Sequence, residues 1–400
     1  MKQRKNAVLI FAVVIVMIGV SIVLAEQFAG KGASTPPPHE PVVGTRATAV
    51  AATPAVAITA TAMPEAVISK EEATALLDEG ETHGYSIAGI TLTDRYPGKL
   101  LYEFSLVPDS THSRKTNATF FIDAETGDPY TPLQDKAGIT IKQAKAKARG
   151  AFPELSADRV RIRFNDGSQY LRGWSFDLMK DEEKLVQGGL DADTGELISY
   201  FIGIKRLGRP ATPSVPMDAA QKTADREVRE RNGELPLTLV DARLDPLGMP
   251  GEDIAGKYVF VYKRVIHGVP CASDGIVVTV DSVAGNVVEY RKSWTLPEDA
   301  VALPAEPVIS KNTATATVRK DAEKIYPASA DGLRIISAEL RWRDFHNPDK
   351  VTPGPGSVPL AWEVQFDDET IRAQQYPSPG NGWIDARNGT LLDLYYRHEH

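Results

Sequence analysis

A short pattern, an apolar residue followed by Asp, three further residues and Gly, occurs four times in this 400-residue chain. The four Asp–Gly pairs are Asp123 and Gly127, Asp191 and Gly195, Asp281 and Gly285, and Asp385 and Gly389. An Asp side chain accepts hydrogen bonds from nearby backbone N–H groups, and Gly adopts the positive φ that returns the chain into the next strand. The pattern therefore predicts four hairpin turns, and its recurrence predicts four copies of one folding unit.

Each turn is preceded by a strand that carries aromatic residues, at 101–107, 172–179, 256–265 and 360–366. In each strand two apolar side chains separated by one residue share a face, because side chains alternate along a strand. These pairs are Tyr102 and Phe104, Trp174 and Phe176, Tyr258 and Phe260, and Trp362 and Val364. In three of the strands a polar residue lies between the paired ones, namely Glu103, Ser175 and Glu363, so we expect antiparallel sheets with one face in water.

A short helix precedes each aromatic strand. Three of these helices are predicted to begin at Ser69, Thr140 and Ser310, each preceded by Ile. Glu72 and Gln143 complete capping boxes with Ser69 and Thr140. In the third copy Asp218 is the expected N-cap and Gly233 the expected C-terminal stop. The predicted fold class is therefore α+β, with tandem modules of one helix packed on a small antiparallel sheet.

An apolar segment precedes all four copies. Ala7 to Ala25 contains no charge, and at ~1.5 Å per residue it is long enough to cross a hydrocarbon core of ~30 Å. Lys2, Arg4 and Lys5 precede it, which favours a cytoplasmic N-terminus and export of the remainder. A cleaved signal peptide is the alternative, because Val23-Leu24-Ala25 resembles a cleavage site. We expect a single-pass protein of the cell membrane with an extracellular bulk, or a secreted protein if cleavage occurs.

The chain between this segment and the first helix is rich in Ala, Thr and Pro, which predicts an extended stalk. The expected organisation is a cytoplasmic N-terminus at 1–6, an anchor or signal peptide at 7–25 and a stalk at 26–64. Four units then follow, at 65–133, 134–212, 213–302 and 303–400.

These motifs resemble those of the PepSY domain, with a helix that opens "ISKEEA", an aromatic strand and a closing "V-D-x-x-T-G". The third unit resembles the related YcdB/YcdC repeat and is similar to propeptides of thermolysin-like peptidases. Thr126-Gly127 and Thr194-Gly195 fit the closing pattern, whereas Ala284-Gly285 and Asn388-Gly389 depart from it. The resemblance implies a non-catalytic role in binding, regulating or inhibiting peptidases or other exported proteins.

A calcium loop is the alternative interpretation of the turns. Carboxylates lie at alternate positions in the first two copies, at Asp123, Glu125 and Asp128 and at Asp191, Asp193 and Glu196. The third copy offers only Asp281 and Asn286, and Arg387 stands in place of an acid in the fourth. The pattern thus favours a structural turn over a metal site.

Other chemistry has little support in the sequence. The seven His residues never form His-Glu-x-x-His, and Gly-x-Ser-x-Gly and P-loop motifs are absent. Cys271 is the only cysteine, which excludes an intrachain disulfide and predicts an inert, half-buried thiol. A net charge of −8 gives no electrostatic reason to bind nucleic acid. We therefore predict no catalytic residues, no metal and no cofactor.

Two Arg-rich strands and two sequons remain. Arg159, Arg161 and Arg163 alternate with apolar residues, and Arg341 and Arg343 flank Trp342. These strands predict either the solvated face of a sheet or a surface that binds an anion or a peptide. Asn117 and Asn388 begin Asn-x-Thr sequons, which predict glycosylation sites if the source glycosylates exported proteins.

The leading functional hypothesis is a membrane-anchored extracellular protein that accepts an extended peptide at an exposed sheet edge or on a wet sheet face. Its expected partners are the membrane, through the N-terminal helix, and an exported peptidase or other surface protein. The alternative is a structural or adhesive surface protein with tandem modules on a stalk. An enzyme is a distant third hypothesis.

Overall fold

The computed structural model describes residues 66–77, 84–109, 116–165, 172–247, 252–294, 296–301, 304–327, 332–344, 354–374 and 377–397. All of them belong to one unit of the chain, Ala62–His400. The predicted membrane segment at 7–25 and the stalk at 26–64 lie outside the described residues. Within the described residues, no helix is long and apolar enough to cross a bilayer.

Each unit is a helix followed by four antiparallel strands. The predicted unit had three strands: the aromatic strand, a strand that returns beside it to the turn, and a final strand after the turn. The additional strand lies between the helix and the aromatic strand. In unit 1 the elements are α1 (Lys70–Ala75), β1 (Tyr85–Thr93), β2 (Leu101–Pro108), β3 (Ala118–Asp123) and β4 (Pro129–Tyr130). These strands pair in chain order as a separate four-stranded sheet.

The same order of elements recurs in the other three units. Unit 2 contains α2 (Ile141–Gly150), β5 (Arg159–Asn165), β6 (Gly173–Lys180), β7 (Glu183–Asp191) and β8 (Leu197–Phe201). Unit 3 contains α3 (Met217–Asn232), β9 (Leu237–Asp245), β10 (Lys257–Ile266), β11 (Val269–Asp281) and β12 (Val287–Ser293). Unit 4 contains α4 (Lys311–Ile325), β13 (Arg334–Trp342), β14 (Leu360–Asp367), α5 (Glu369–Ala373), β15 (Gly380–Asp385) and β16 (Leu391–Tyr395). The α+β class is confirmed, and the Arg-rich strands are the first strands of units 2 and 4.

Units 2 and 3 share one sheet, in the order β5-β6-β7-β8-β12-β11-β10-β9. Their last strands, β8 and β12, pair antiparallel with Tyr200 opposite Tyr290. Each Tyr lies nine residues after its turn Asp (191 to 200 and 281 to 290), so an approximate two-fold axis passes between them. The two rings stack with centroids 5.9 Å apart, and side chains of both units form one hydrophobic core.

Unit 4 is attached to the long hairpin of β10 and β11. Cys271 of β11 pairs in parallel with Trp342 of β13, and Trp342 Nε1 donates a hydrogen bond to the Ile266 carbonyl at 2.9 Å. The Asp344 carboxylate accepts the N–H groups of Ser273 and Asp274 at 2.6 and 2.8 Å. These buried contacts extend the sheet of units 2 and 3 into unit 4, so the sheet as a whole is mixed.

The Asp-x-x-x-Gly turns have the same geometry in all four units. In unit 2, Asp191 Oδ1 accepts the N–H groups of Asp193 and Thr194 at 3.0 and 2.8 Å. The Gly195 N–H donates to the Asp191 carbonyl at 3.0 Å. Gly195 has a φ of +67°, and a Cβ atom there would lie 2.7 Å from Ile139 Cδ1. The positive φ of the turn thus requires Gly, and the Ile139 side chain packs closely against it.

Each turn also holds the start of its own helix. The residue after the turn Asp is buried, and its carbonyl accepts backbone N–H groups from the segment just before the helix. In unit 3, for example, the Ser282 carbonyl accepts from Ser214 and Val215, both at 2.9 Å. The equivalent donor–acceptor pairs are Val67 and Ile68 to Ala124, Ile139 to Ala192, and Val308 and Ile309 to Ala386.

The aromatic strand closes the same arrangement from the other side. The hydroxyls of Tyr102 and Tyr258 donate to the carbonyls of Ile68 and Val215, each at 2.9 Å. In unit 4, Trp362 Nε1 donates to the Ile309 carbonyl at 3.1 Å. Trp174 holds this position in unit 2, but its Nε1 has no hydrogen-bond partner among the described residues. We call this arrangement the turn–helix lock. It consists of the turn Asp, the residue after that Asp, the pre-helix residue and the aromatic residue.

The predicted caps at Ser69, Thr140 and Ser310 are confirmed, with capping boxes in the first two. The prediction of Asp218 as the N-cap of α3 is wrong. That helix begins at Met217 after Pro216, which occupies the cap position without a side-chain bond. The lock already fixes Val215 beside the helix start, and Asp218 lies in the first turn, where a carboxylate is favoured by the helix dipole. Gly233 ends α3 with a φ of +65°, as predicted.

Replacement of Tyr258 by Phe tests the lock. The change keeps the ring but removes the donor to the Val215 carbonyl, so we expect the free energy of unfolding to fall by about 1–2 kcal/mol. Urea unfolding of the fragment Glu65–His400 measures it. Tyr96→Phe is the control, because the Tyr96 hydroxyl makes no hydrogen bond to another described residue. Equal effects of the two substitutions would contradict a stabilising role for the lock.

Candidate peptide-binding edge

The acidic residues of the turns do not converge on a metal position. Asp128 pairs with Lys145 at 2.5 Å, and Asp193 pairs with Arg172 at 2.7 Å. Glu196 forms an ion pair with Lys292 of β12. Among the described residues, no group of three or more His, Cys, Asp or Glu side chains is placed to hold a metal ion. The carboxylates thus serve turns and ion pairs in the structure, which does not favour the calcium alternative.

Cys271 is fully buried at the junction with Trp342. Burial first, and then the charges of Asp344 and Asp274, raise the pKa of its thiol to about 12. A thiol that stays protonated at neutral pH is a poor nucleophile, so the geometry favours a packing role. The sequence predicted a half-buried thiol, and the structure buries it completely.

The two predicted sequons are accessible in the structure. Asn117 is exposed just before β3. Asn388 is exposed in the turn of unit 4, and its Oδ1 accepts the Thr390 N–H at 2.8 Å. Their glycosylation remains a prediction.

The Arg-rich strands carry charges that are partly compensated. Arg159 pairs with Glu182 at 2.8 Å, and Arg161 lies 3.8 Å from the same carboxylate. In unit 4, Arg341 pairs with Glu363 at 2.6 Å. These pairs do not favour an anion-binding surface. The solvated-face interpretation fits Arg159 and Arg161, whereas the Arg341 side chain is only 12% exposed.

The strand β9, which ends the sheet of units 2 and 3, was not singled out from the sequence. In the described part of the chain β9 pairs only with β10, so one backbone edge of its nine residues is open. Val240 and Leu244 on this strand are 38% and 45% exposed. An open edge with apolar side chains is a template for another strand, and natural proteins usually protect such edges.

A groove lies between β9 and the C-terminal half of α3. Its volume is about 270 Å³. Its lining is mixed: the apolar and aromatic residues are Val228, Leu235, Leu237, Leu239 and Tyr262, and Asp225, Arg229 and Glu234 contribute charged groups. The open strand and the groove together offer backbone hydrogen bonds beside a space for apolar side chains.

One buried polar contact defines the chemistry of the groove. The Tyr262 hydroxyl donates to Asp225 Oδ1 at 2.6 Å. Burial first, and then the hydrogen bond and charge of Asp225, raise the pKa of Tyr262. Tyr262 therefore remains a protonated donor at neutral pH, and Asp225 is held against it. The carboxylates of Asp225 and Glu234 disfavour an anion in the groove, and its Leu side chains offer contacts to an apolar side chain.

The sequence contained a signal for β9 that was overlooked. Apolar residues recur with a period of two at Leu237 and Leu239 and again at Val240, Ala242 and Leu244, where Asp241, Arg243 and Asp245 alternate with them; the change of phase coincides with the bulge in the pairing with β10. This alternation predicts a half-buried strand. It lies directly after the helix stop at Gly233 and before an aromatic strand, the position that the additional strand occupies in every unit.

Residues 159–294 match the family model described as YcdB, YcdC repeated domain. The resemblance found in the third unit is thereby confirmed, and it extends back through the strands of the second. Arg159 is the first residue of β5, and Trp294 directly follows β12. The matched segment thus contains all eight strands of the shared sheet and both of its ends, including β9.

Two solved structures are similar to this chain. The C-terminal domain of YpeB from Bacillus megaterium is 13% identical, with a TM-score of 0.37, over 64% of this chain and 97% of that one. An uncharacterized protein from Eubacterium rectale is 12% identical, with a TM-score of 0.33, over 64% of this chain and 81% of that one. No curated protein matches the sequence.

The turn of unit 3 leads to a prediction about how the free energy of unfolding depends on pH. This turn supports β11 and its neighbour β10, which lies beside β9. Arg209 binds both Asp281 carboxylate oxygens, at 2.6 and 3.0 Å. Burial alone would raise the pKa of Asp281. Arg209 and the N–H groups of Val283 and Ala284 lower it by more, so the pKa lies below its ordinary value. A lowered pKa in the folded state means that ionised Asp281 stabilises the fold above the pKa of the unfolded chain, near 3.8.

We therefore expect Asp281→Asn to lower the free energy of unfolding at pH 7. The difference from wild type should shrink as the pH falls below about 4, because the wild-type carboxyl is then protonated as well. Urea unfolding between pH 2.5 and about 7 measures it. Asp385→Asn is the control, since Asp385 accepts the same two turn hydrogen bonds and forms no ion pair with another described residue. A difference that stayed constant with pH would contradict the role of the Arg209–Asp281 pair.

Proposed function

We propose that this chain is a membrane-anchored extracellular protein that binds an extended segment of another exported protein without catalysis. The bound segment adds a strand to β9. The observation that carries the proposal is the open edge of β9 beside the groove against α3.

Strand addition fits the physical character of this edge. Main-chain hydrogen bonds along β9 supply affinity for any extended peptide, and alternate side chains supply specificity. The groove accepts apolar side chains of the segment against Leu237 and Leu239, while Val240 and Leu244 lose exposed apolar surface. The expected ligand is an extended apolar segment, with no requirement for a charged terminus.

We propose an exported peptidase as the partner, with regulation or inhibition as the outcome. Two points support this proposal. The modules resemble PepSY-type domains and peptidase propeptides, and residues 159–294 match the YcdB, YcdC repeated domain. A strand bound along an edge is also held in an extended conformation, the conformation in which peptidases bind their substrates.

A structural or adhesive surface protein is the second candidate. The observation in its favour is the sheet that continues from unit 2 through unit 3 into unit 4. Such continuity suits a rigid spacer that holds a ligand away from the membrane. This candidate predicts no effect on peptidase activity.

Titration of the fragment Glu65–His400 against a thermolysin-like metallopeptidase and a serine peptidase distinguishes the two candidates. Saturable loss of peptidase activity, with the fragment remaining intact, is the expected result. Full peptidase activity at micromolar fragment would remove these peptidases as partners and would favour the second candidate.

Val240→Lys locates the binding surface. Lys on an edge strand disfavours the approach of another strand, so we expect binding of the peptidase to weaken at least tenfold. Leu207→Lys is the matched control, because Leu207 is 88% exposed in the connection between β8 and α3. Binding constants from isothermal titration calorimetry measure both. Equal affinities for the two variants would place the binding surface elsewhere.

A further inference from the structure

We propose that the open edge of β9 pairs with β9 of a second copy of this chain, antiparallel about a two-fold axis at Ala242. The resulting homodimer covers the edge and is the resting state of the protein. Its regulatory meaning rests on the proposed function, because a dimer of this kind and a partner strand compete for the same backbone edge.

The charge pattern of β9 selects this register. Two antiparallel copies of a strand related by a two-fold axis across the sheet place one residue opposite itself. An axis at Ala242 places Asp241 of each copy opposite Arg243 of the other, next to the bulge at Val240, which the pairing with β10 skips. An axis at Asp241 or at Arg243 instead places two like charges directly opposite each other, which is destabilising. An axis at Leu244 also places Arg243 opposite Asp245, but it pairs only the last three residues of the strand.

The side chains concerned are available for cross-strand pairing. The Arg243 and Asp241 side chains are 48% and 42% exposed. Within one copy Arg243 contacts Asp241 and also Asp245, at 2.9 Å. Charges of opposite sign thus alternate at every second residue along the edge. A second copy places further opposite charges beside them, so no unpaired charge is buried.

The opposite end of the shared sheet has a different charge pattern. At this end, β5 carries Arg159, Arg161 and Arg163 at every second residue. A two-fold axis at any residue from 160 to 162 places Arg opposite Arg, so β5 resists pairing with itself. The strand β4 of unit 1 also lies against β5. Of these two ends, only β9 combines an open edge with a self-complementary sequence.

The chain already contains an antiparallel strand pair of the proposed kind. The strands β8 and β12, which are the equivalent last strands of units 2 and 3, pair antiparallel about an approximate two-fold axis at Tyr200 and Tyr290. There Phe201 lies opposite Glu289 and Ser199 opposite Arg291. A β9–β9 pair would repeat this geometry between two chains and join two eight-stranded sheets edge to edge.

Charge-swapped variants of the fragment Glu65–His400 test the proposal by sedimentation velocity. This fragment contains every described helix, strand and core cluster, and circular dichroism with cooperative unfolding checks that each variant is folded. We expect the wild type to dimerise reversibly with concentration. Asp241→Arg and Arg243→Asp should each weaken dimerisation at least tenfold, because each places like charges opposite one another in the β9–β9 pair.

Two combinations make the test specific to this register. An equimolar mixture of the two single variants should form a heterodimer, because every Arg of one then faces an Asp of the other. The double variant Asp241→Arg/Arg243→Asp should recover self-association for the same reason. A strictly monomeric wild type, a mixture that stays monomeric, or assembly beyond a dimer would each overturn the proposal.

The outcome is separable from that of the proposed function. Dimerisation is measured without any peptidase, and peptidase binding is measured on the wild type at concentrations below and above its dimer dissociation constant. Dimers that never bind a peptidase would contradict the proposed function but not the dimer. A monomeric wild type that inhibits a peptidase would contradict the dimer but not the proposed function.

Discussion

The hydrogen bonds of the turn–helix lock are the interaction on which each unit depends. The helices that open the units are short, from six residues in α1 to sixteen in α3, and isolated helices below about 12–15 residues are marginal in water. A helix of six residues therefore needs an anchor on the sheet. The buried carbonyl after each turn Asp supplies it, because that carbonyl accepts the N–H groups that directly precede the helix.

The lock also explains why one short pattern recurs while the surrounding sequence varies. Asp fixes the turn, Gly supplies its positive φ, and in units 1, 3 and 4 the aromatic side chain of the second strand donates to the carbonyl of the pre-helix residue. Three different donors fill the last role, from Tyr102 and Tyr258 to Trp362. The lengths of the loops do not affect this contact, so insertions such as that between β13 and β14 leave the unit intact.

Local features of the fold could be predicted from the sequence, whereas contacts between units could not. The turns and caps depend on residues within a few positions of each other, and the predicted caps were wrong only at Asp218, where Pro216 takes the position. The pairing of Tyr200 with Tyr290 joins residues far apart in the chain, and no local pattern encodes it. The strand β9 was missed for another reason, because it lacks the aromatic residues on which the comparison of the four units relied.

Joining two units into one sheet creates the condition from which a binding site can arise. Pairing β8 with β12 removes two strand edges from the interior of the sheet and leaves two at its ends. Uncompensated edges promote aggregation, so each end requires protection or a ligand. The Arg side chains of β5 and the neighbouring unit 1 provide protection at one end. At the other end, Asp241, Arg243 and Asp245 offer both signs of charge next to exposed Val240 and Leu244. That combination does not repel a second strand, and it places the functional interest of the molecule at β9 rather than in its recurrent turns, which are engaged in holding the helices.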